Sequence, residues 1–383
     1  MRNDALKSLH VAVNGGSIGG LCAGIALHGH GARVDIYERH AGPMETRGAG
    51  IVVQPELMVI LDEYDGPPLP MTSCSGRRYL DPTGGIGRSQ RMPQYFTSWE
   101  AIYRSLRAVF PDANYHPGSS IQSFEANGAT VVLDVPGHGA SEVDLLVCAE
   151  GAESETRRRL LPEVKPHYAG YIAWRGTLPE AKTPRALVEF FDDTFTFSEA
   201  RSGGHILVYF IPGPNADPTP GNRLVNWVWY VHAGEGDLSG LLIDRQGHRH
   251  NMSLPQGTAT DAAIAALRLL AEQEIHPRLA ELVAATPDPF IQTIIDVVVP
   301  RTVFGRACLL GDAAFVVRPH TAGATAKAAR DAMVLADVLV QTRGGDVPKA
   351  LAAFEFTQLQ YGRQLYEYGV SLGDRWSRPL TSK

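Results

Sequence analysis

The first forty residues constrain the fold most, because they alternate strand, glycine-rich turn, helix and strand. Residues 9–13 are a short apolar run, residues 15–20 read Gly-Gly-Ser-Ile-Gly-Gly, and residues 21–27 are the apolar start of a helix. A second strand, in which polar and apolar residues alternate, is predicted at 33–37 and ends at Glu38. This order of elements predicts an α/β fold, in which helices cover a Rossmann-like parallel sheet.

The glycine-rich turn is typical of a dinucleotide site. Such a turn needs outer glycines for a tight bend and close helix–strand packing, and a small middle residue beside the pyrophosphate. Gly15 and Gly20 fill the outer positions and Ser17 the middle one, while Glu38 is placed to bind an adenosine ribose. The alternative is a turn that binds nothing. The cofactor-binding residues predicted here are Gly15, Gly16, Ser17, Ile18, Gly20, Glu38 and Arg39.

A second motif lies far along the chain, where Leu309-Leu310-Gly311-Asp312 ends an apolar run. A carboxylate there can accept hydrogen bonds from a ribityl chain, and a helix beginning near Ala322 would direct its free N–H groups at a flavin. A nicotinamide dinucleotide alone needs no such remote element, so the two motifs together favour FAD. The alternative is that Asp312 only caps a helix. The flavin contacts predicted from this motif are Gly311, Asp312, Ala322, Gly323 and Ala324.

A third motif and a broad resemblance support the same cofactor. Residues 145–149 form an apolar strand that runs into Glu150-Gly151. The three motifs in this order resemble the single-component FAD-dependent aromatic hydroxylases, the para-hydroxybenzoate hydroxylase-like superfamily. Further segments are similar to one branch, the 2,6-dihydroxypyridine 3-hydroxylases, so that the resemblance covers nearly the whole chain. Those segments are 48–57, 97–103, 168–176, 226–232 and 311–332.

The resemblance implies a chemistry as well as a cofactor. In this family FAD takes a hydride from NADH or NADPH as a transient reductant, and reduced flavin captures O2 as a C4a-hydroperoxide. The hydroperoxide then attacks a small, electron-rich aromatic or N-heteroaromatic ring. The expected partners are therefore that ring and O2.

Several positions depart from the family pattern. Glu150 replaces the usual Asp, Cys148 replaces a Gly, and Trp99 stands where an Arg is usual, with Arg104 one turn later as the substitute for the phosphate contact. Alanines flank Gly323 where the family has Gly-x-Gly. Because backbone atoms make most of these contacts, we interpret the changes as variation within a working site. The alternative is a non-catalytic flavin-binding protein that has lost turnover.

The middle of the chain is expected to form the substrate domain. Residues 170–232 alternate aromatic and polar residues between Gly, Pro and Asn, which predicts an inserted antiparallel sheet. Residues 67–94 are expected to be loop with short strands, and residues 260–285 helical. The predicted divisions are a βαβ start for FAD (1–75), its continuation with connecting loops (76–167), a β-rich substrate domain (168–285), and the completion of the FAD domain with C-terminal helices (286–383).

Candidate catalytic and pocket residues lie in this sheet and beside the second motif. His320 can bind or deprotonate a ring hydroxyl because its ordinary pKa is near neutrality. The alternative, equally favoured, is that the N-terminus of the following helix satisfies the hydrogen-bonding groups of the His320 ring. Tyr209 is the second catalytic candidate, and Gln54 is expected to contact flavin or substrate. Aromatic side chains in a sheet are often plain core. The pocket residues predicted are Tyr171, Trp174, Trp227 and Trp229.

Composition narrows the remaining classes. A net charge of −6 gives no basic face for nucleic acid, and the four cysteines lack the spacing of a metal site. No apolar run of membrane length occurs, and the first strand leaves no room for a signal peptide, so we expect a cytoplasmic protein. Whether the protein forms a homodimer is left open by the sequence. The alternative activities are hydroxylation of another phenol or heterocycle and, least favoured, an NAD-dependent dehydrogenase.

Overall fold

The computed structural model describes residues 4–42, 44, 49–137 and 139–376. Parts of the predicted segments therefore lie outside the described residues, namely 1–3, 43, 45–48, 138 and 377–383. The strands are β1 (His10–Asn14), β2 (Arg33–Glu38), β3 (Gly50–Val52), β4 (Thr72–Leu80), β5 (Ile86–Ser98), β6 (Tyr115–Pro117), β7 (Ser123–Ala126), β8 (Val131–Val135), β9 (Gly139–Val143), β10 (Leu145–Cys148), β11 (His167–Pro179), β12 (Thr194–Glu199), β13 (His205–Ile211), β14 (Leu224–His232), β15 (Ser253–Leu254), β16 (Phe290–Val298), β17 (Val303–Phe304), β18 (Ala307–Leu309) and β19 (Phe315–Val316). The helices are α1 (Ile18–Gly29), α2 (Pro55–Glu63), α3 (Trp99–Val109), α4 (Glu155–Leu160), α5 (Arg185–Phe191), α6 (Glu235–Leu241), α7 (Asp261–Glu274), α8 (Pro277–Ala285), α9 (Ala324–Gln341) and α10 (Val347–Trp376).

A six-stranded sheet, in the order β17-β18-β10-β1-β2-β6, forms the predicted parallel layer. Strands β2, β6, β10 and β18 all run parallel to β1, and only β17 is antiparallel. The apolar residues of β1 and β10 are fully buried because helices cover the sheet, with α1 and α9 packed against each other. This layer confirms the α/β class and brings the carboxyl ends of β1, β10 and β18 to one edge.

A larger mixed sheet carries the aromatic strands, in the order β15-β16-β11-β14-β13-β12-β4-β5-β3. One of its faces packs on α5, α7 and α8 in a hydrophobic core. We name the opposite face, which carries Tyr171, Arg175, Tyr209, Asn226 and Tyr230, the inner face. The sheet takes β3, β4 and β5 from before the predicted segment 168–285 and β16 from after it.

The sequence predicts loop with short strands for residues 67–94, but the strands are longer than expected, because β4 and β5 pair there as a long antiparallel ribbon. Gly, Ser and Arg dominate the ribbon, and most of β5 is exposed, so the segment lacks the apolar alternation that marks a half-buried strand. Pro93 falls where the pairing register shifts, between the pairs Cys74–Gln94 and Gly76–Arg91. A bulge of this kind accommodates a proline inside a strand.

The predicted helical run over 260–285 is confirmed as two helices, α7 and α8, rather than one. Ile275 and His276 break the run because Pro277 disfavours helical backbone in the residue before it. Among the residues described, no helix is long and apolar enough to cross a bilayer. The four cysteines are buried and free.

Candidate active site

A cleft of about 490 Å³ opens at the carboxyl edge of the parallel sheet. Ligands of α/β proteins bind at this edge because the loops that follow the strands converge there. The cleft walls include ten of the predicted cofactor residues. These are Gly15, Ser17, Ile18, Glu38, Arg39, Glu150, Gly151, Gly311, Asp312 and Ala324.

The turn between β1 and α1 is built on two glycines. Gly15 has φ +107°, and a Cβ on it would lie 2.5 Å from the carbonyl oxygen of Ala149. A Cβ on Gly20 would lie 1.8 Å from the carbonyl oxygen of Gly15, so Gly20 is the residue that lets the helix pack against the turn. Ser17 precedes α1 without a side-chain capping bond, which leaves its hydroxyl free to donate to a phosphate.

Glu38, at the end of the neighbouring strand β2, holds the turn in place. Its Oε2 accepts a hydrogen bond of 2.8 Å from the Gly16 N–H, and its Oε1 accepts from the backbone N–H of His40 at 2.9 Å. The His40 ring nitrogen Nδ1 lies 2.6 Å from the same oxygen. A carboxylate has about four acceptor positions, so a ribose hydroxyl can still be accommodated.

The turn at Gly311 and Asp312 is supported by buried charges. Gly311 has φ +62°, its N–H donates to Asp331 at 2.9 Å, and its carbonyl accepts from Lys327 Nζ at 3.2 Å. Lys327 and Asp331 form an ion pair of 2.6 Å, with side chains 1% and 2% exposed. Arg157, also buried, donates to the carbonyl of Asp312 at 3.2 Å.

The Asp312 carboxylate faces the cleft. Burial raises its pKa above the ordinary value, while Lys327 and Arg157 act in the opposite direction. Two cations near a desolvated carboxylate keep it available as an acceptor, which suits the hydroxyls of a ribityl chain. Lys327 and Arg157 were not predicted, because a basic residue in a helical segment, whether single as at 327 or in a run as at 157–159, carries no sequence signal of such a role.

The departures from the family pattern have structural explanations. Glu150 accepts from Ser154 Oγ at 2.7 Å and from the Thr156 N–H at 3.2 Å, so it caps α4. Trp99 lines the cleft and stacks on Tyr103, with ring centroids 5.2 Å apart. Arg104 pairs with Glu100 at 3.0 Å and is not part of the cleft wall, which argues against its predicted phosphate contact.

Three other arginines line the cleft and can supply the phosphate contact that was predicted for Arg104. Arg39, Arg158 and Arg159 all line it, although Arg158 and Arg159 are also paired with Glu155. Guanidinium groups suit a pyrophosphate because they offer several donors in one plane. Gly16, Gly20 and Gly323 lie outside the wall but directly beside residues that form it, whereas Gln54 and Ala322 are neither on the wall nor adjacent to it in sequence.

The start of α9 forms part of the cleft wall. The helix begins at Ala324, two residues later than predicted, and Gly323 is its N-cap. Ala322 has φ +52°, a conformation that glycine adopts more easily. Ala324 and Thr325 line the cleft, so the first free N–H groups of the helix are aimed at its contents.

His320 and Tyr171 meet between this turn and the inner face. His320 Nε2 lies 2.8 Å from the Tyr171 hydroxyl, and its ring lies 4.4 Å from that of Tyr230. Burial, and secondarily the charge of Arg318, lowers the pKa of His320 to about 4. The ring is therefore neutral at neutral pH, and its Nδ1 is buried with no hydrogen-bond partner among the described residues.

The prediction that three tryptophans line the substrate pocket is wrong, because of the side of the sheet on which they lie. Trp174, Trp227 and Trp229 lie on the sheet face that packs on α7 and α8, opposite to Tyr171 and Tyr209. Trp227 Nε1 donates to Thr286 Oγ1 at 2.9 Å, in that hydrophobic core. They cannot line a pocket on the inner face, because successive side chains of a strand point to opposite sides.

Tyr209 lies on the inner face with residues that the sequence did not single out. It pairs across the sheet with Asn226, which is fully buried. A Cβ on Gly50 would lie 2.6 Å from the Tyr209 ring and 2.8 Å from Asn226 Nδ2. The matched register of β13 and β14 brings these residues together, and that register is not readable before the pairing is known.

The residues of the cleft fit FAD. The turn at Gly15 and Ser17 suits a pyrophosphate, Glu38 suits a ribose, Asp312 suits a ribityl chain, and the start of α9 suits the electron-rich edge of the flavin ring. The volume is that of a site for a ligand of this size. Among the described residues, no three histidine, cysteine or carboxylate side chains cluster as a metal site.

Comparison with known proteins identifies the family. The family described as FAD binding domain-like matches residues 168–296. A 2,6-dihydroxypyridine 3-monooxygenase of Paenarthrobacter nicotinovorans is 35% identical over 358 residues, which are 92% of this chain and 87% of that protein. The chain belongs to the FAD-dependent aromatic hydroxylases. The solved 2,6-dihydroxypyridine-3-hydroxylase of Arthrobacter nicotinovorans superposes on this hydroxylase with a TM-score of 0.90 at 32% identity, covering 98% of this chain and 94% of that one.

A more distant relative also matches over nearly the whole chain. A 6-hydroxynicotinate 3-monooxygenase of Pseudomonas fluorescens is 24% identical over 97% of this hydroxylase and 92% of that protein. The hydroxylase binds FAD, and reduced nicotinamide and O2 are the co-substrates of its class. The predictions of FAD, of the fold and of an FAD-dependent monooxygenase are confirmed.

Proposed function

We propose that this hydroxylase inserts one oxygen atom of O2 into a small N-heteroaromatic ring of the 2,6-dihydroxypyridine type. NADH or NADPH supplies the two electrons, and the second oxygen atom leaves as water. The relative at 35% identity carries this substrate in its name, and the match covers 92% of this chain. A ring with hydroxyl or amino donors is required because the attack on it is electrophilic.

One observation carries the proposal, the free Nδ1 of a buried and neutral His320. Tyr171 occupies its Nε2, so the ring is fixed and Nδ1 is the position open to a substrate. If the Tyr171 hydroxyl donates to Nε2, Nδ1 carries the proton and donates; in the other tautomer it accepts. The pair can therefore hold a ring hydroxyl in either protonation state.

The remaining residues have distinct parts in the reaction. Bound FAD supplies the electron transfer from nicotinamide and the activation of O2. Asp312, Glu38 and the start of α9 bind and orient it, while Tyr209 and Tyr230 on the inner face exclude water from the ring. His320 moves the proton of the ring hydroxyl at Nδ1, with Tyr171 as its orienting partner.

The identity of the substrate ring is tested by the hydroxylated product that forms. FAD-loaded protein with reduced nicotinamide is incubated under ¹⁸O₂ with 2,6-dihydroxypyridine, 6-hydroxynicotinate or salicylate in parallel. The mass of each product is then measured by mass spectrometry. We expect one ¹⁸O atom in the dihydroxypyridine product and much less turnover of the other rings. Preferred turnover of salicylate would contradict an N-heteroaromatic substrate.

The role of His320 has its own test. In His320→Ala, FAD stays bound because His320 is not part of the cleft wall, and reduced nicotinamide is still oxidised. We expect hydrogen peroxide to replace a large part of the hydroxylated product. A variant whose ratio of product to nicotinamide equals that of the wild type would remove His320 from the reaction.

Location and assembly remain predictions. The free, buried state of the four cysteines agrees with a reducing compartment, the predicted cytoplasm. The predicted homodimer is tested by the mass of the FAD-loaded protein in solution, measured by light scattering.

A further inference from the structure

Two side chains on the inner face carry buried donor atoms. Arg175 is half-buried, and its Nε is buried with no hydrogen-bond partner among the described residues. The Asn226 amide is fully buried beside the Tyr209 hydroxyl, with which it interacts. No described carboxylate forms an ion pair with Arg175, whereas two buried arginines elsewhere, Arg223 and Arg318, are paired with Glu180 and Asp296. An unsatisfied buried donor is costly, and an unpaired guanidinium more so. The cluster therefore has the composition of a binding site for an acceptor that comes from elsewhere.

Strand register places the two donors side by side. Arg175 on β11 stands opposite Val228 on β14, and Asn226 and Tyr230 flank Val228 on the same face. Diagonal neighbours of this kind lie within reach of long side chains. The charge of Arg175 lowers the pKa of both Tyr209 and Tyr230, against the larger effect of burial, so its guanidinium lies near both phenols.

The orientation of the Asn226 amide is fixed by the backbone. The Gly50 N–H donates to Asn226 Oδ1 at 3.0 Å. Because a backbone N–H can only donate, the oxygen must face Gly50. Nδ2 therefore lies beside the Tyr209 hydroxyl, and its second N–H stays available to a ligand. The inner face thus presents a cation and a neutral donor, with phenol rings on both sides.

We propose that Arg175 and Asn226 form a specificity-determining subsite, in which Arg175 binds an oxyanion of the substrate ring and Asn226 donates to a second acceptor on the same ring edge. The subsite rests on the proposed function, because its ligand is the ring that is hydroxylated. A dihydroxypyridine has both acceptors once one hydroxyl is deprotonated. The anion is also the more electron-rich form, so the subsite selects the reactive protonation state of the ring.

Binding rather than turnover is the direct test. FAD-loaded wild type, Arg175→Gln, Arg175→Lys and Asn226→Leu are titrated with 2,6-dihydroxypyridine, and the change in flavin absorbance gives Kd from pH 5 to pH 9. Arg185→Gln is the matched control, since Arg185 is an exposed arginine of the same sheet domain. Flavin content and circular dichroism of each variant establish that it is folded.

We expect wild-type Kd to fall as the pH rises through the pKa of the ring hydroxyl. In Arg175→Gln, Kd should rise about ten- to hundred-fold at high pH and lose this pH dependence, because the neutral side chain no longer favours the anion. Arg175→Lys should keep the pH dependence with weaker binding, and Asn226→Leu should weaken binding at every pH. Arg185→Gln should bind as the wild type does.

The outcomes separate the two proposals. Wild-type binding that Arg175→Gln and Asn226→Leu leave unchanged would overturn the subsite and leave the proposed function standing. A pH dependence that survives in Arg175→Gln would likewise overturn the assignment of the oxyanion to Arg175. A wild-type protein that binds neither 2,6-dihydroxypyridine nor 6-hydroxynicotinate would overturn the proposed function and the subsite with it.

Discussion

At the residue scale, Ala322 holds a backbone conformation that suits glycine better. Its φ of +52° falls in the left-handed region, at the turn that leads into α9. For a residue with a Cβ this region costs about 1–2 kcal/mol, part of which glycine gives back through its greater freedom in the unfolded chain. The family glycine at this position is thus replaced at a cost in stability.

We therefore expect Ala322→Gly to raise the free energy of unfolding by about 0.5–1 kcal/mol. Ala324→Gly is the control, because Ala324 is the first residue of α9 and has helical backbone. There glycine should lower the free energy of unfolding by about 0.5–1 kcal/mol. Urea unfolding of both variants measures the difference, and equal destabilisation in the two would refute the strain at Ala322.

Asp312 is the second residue with a separable role. We expect Asp312→Ala to weaken FAD binding about ten- to hundred-fold while the protein stays folded, because a carboxylate bond to a hydroxyl is lost. Fluorescence titration of the apoprotein with FAD gives the affinity. Glu163→Ala, on an exposed loop, is the control. Unchanged FAD affinity in Asp312→Ala would mean that the carboxylate does not contact the cofactor.

At the scale of elements, α9 anchors the Gly311 turn through one buried ion pair. Removing one partner of such a pair leaves a buried charge and costs about 3–5 kcal/mol. Lys327→Met should therefore lower both the melting temperature and the FAD occupancy, although Lys327 does not line the cleft. Adding Asp331→Asn should restore much of the stability, because the amide oxygen still accepts from the Gly311 N–H.

Thermal unfolding and flavin content of the single and double variants measure this effect. The double variant separates loss of charge balance from loss of packing. If it is less stable than Lys327→Met alone, the turn depends on the Asp331 charge itself and the account of the pair is wrong.

The elements also mark what the sequence could predict. The turn at Gly15, the strand end at Glu38 and the turn at Gly311 are local motifs, and the structure brings all three to one cleft. The inner face was only partly predictable. The choice between Trp229 and Tyr230 as a pocket residue depends on which side of β14 meets α7, and that is set by tertiary packing rather than by local pattern.

At the scale of the whole molecule, neutral histidines are buried where the inner face meets the turn at Pro319. Burial lowers the pKa of His320 to about 4 and that of His205 well below its ordinary value. In the unfolded chain each histidine titrates near about 6.5. Below that pH the unfolded state binds more protons than the folded state, so stability falls as the pH falls from about 6.5 towards 4.

We expect the free energy of unfolding to drop by about 1 kcal/mol per buried histidine between pH 7.5 and pH 5.5. His276 contributes in the same direction, because burial lowers its pKa as well. Urea unfolding with excess FAD at each pH measures the drop, and His320→Gln should reduce it by about one histidine's share. A drop of equal size in His320→Gln would show that other groups cause the acid sensitivity.

The measurement that tests the central claim most directly is the oxidation of reduced nicotinamide by FAD-loaded protein in air, with and without 2,6-dihydroxypyridine. An aromatic hydroxylase oxidises nicotinamide slowly alone and much faster with its ring, and the added ring gains one oxygen atom per nicotinamide consumed. We predict that result here. Bound FAD with no stimulation by 2,6-dihydroxypyridine, 6-hydroxynicotinate or a panel of hydroxylated heterocycles would contradict it, and would identify a flavoprotein that has lost turnover.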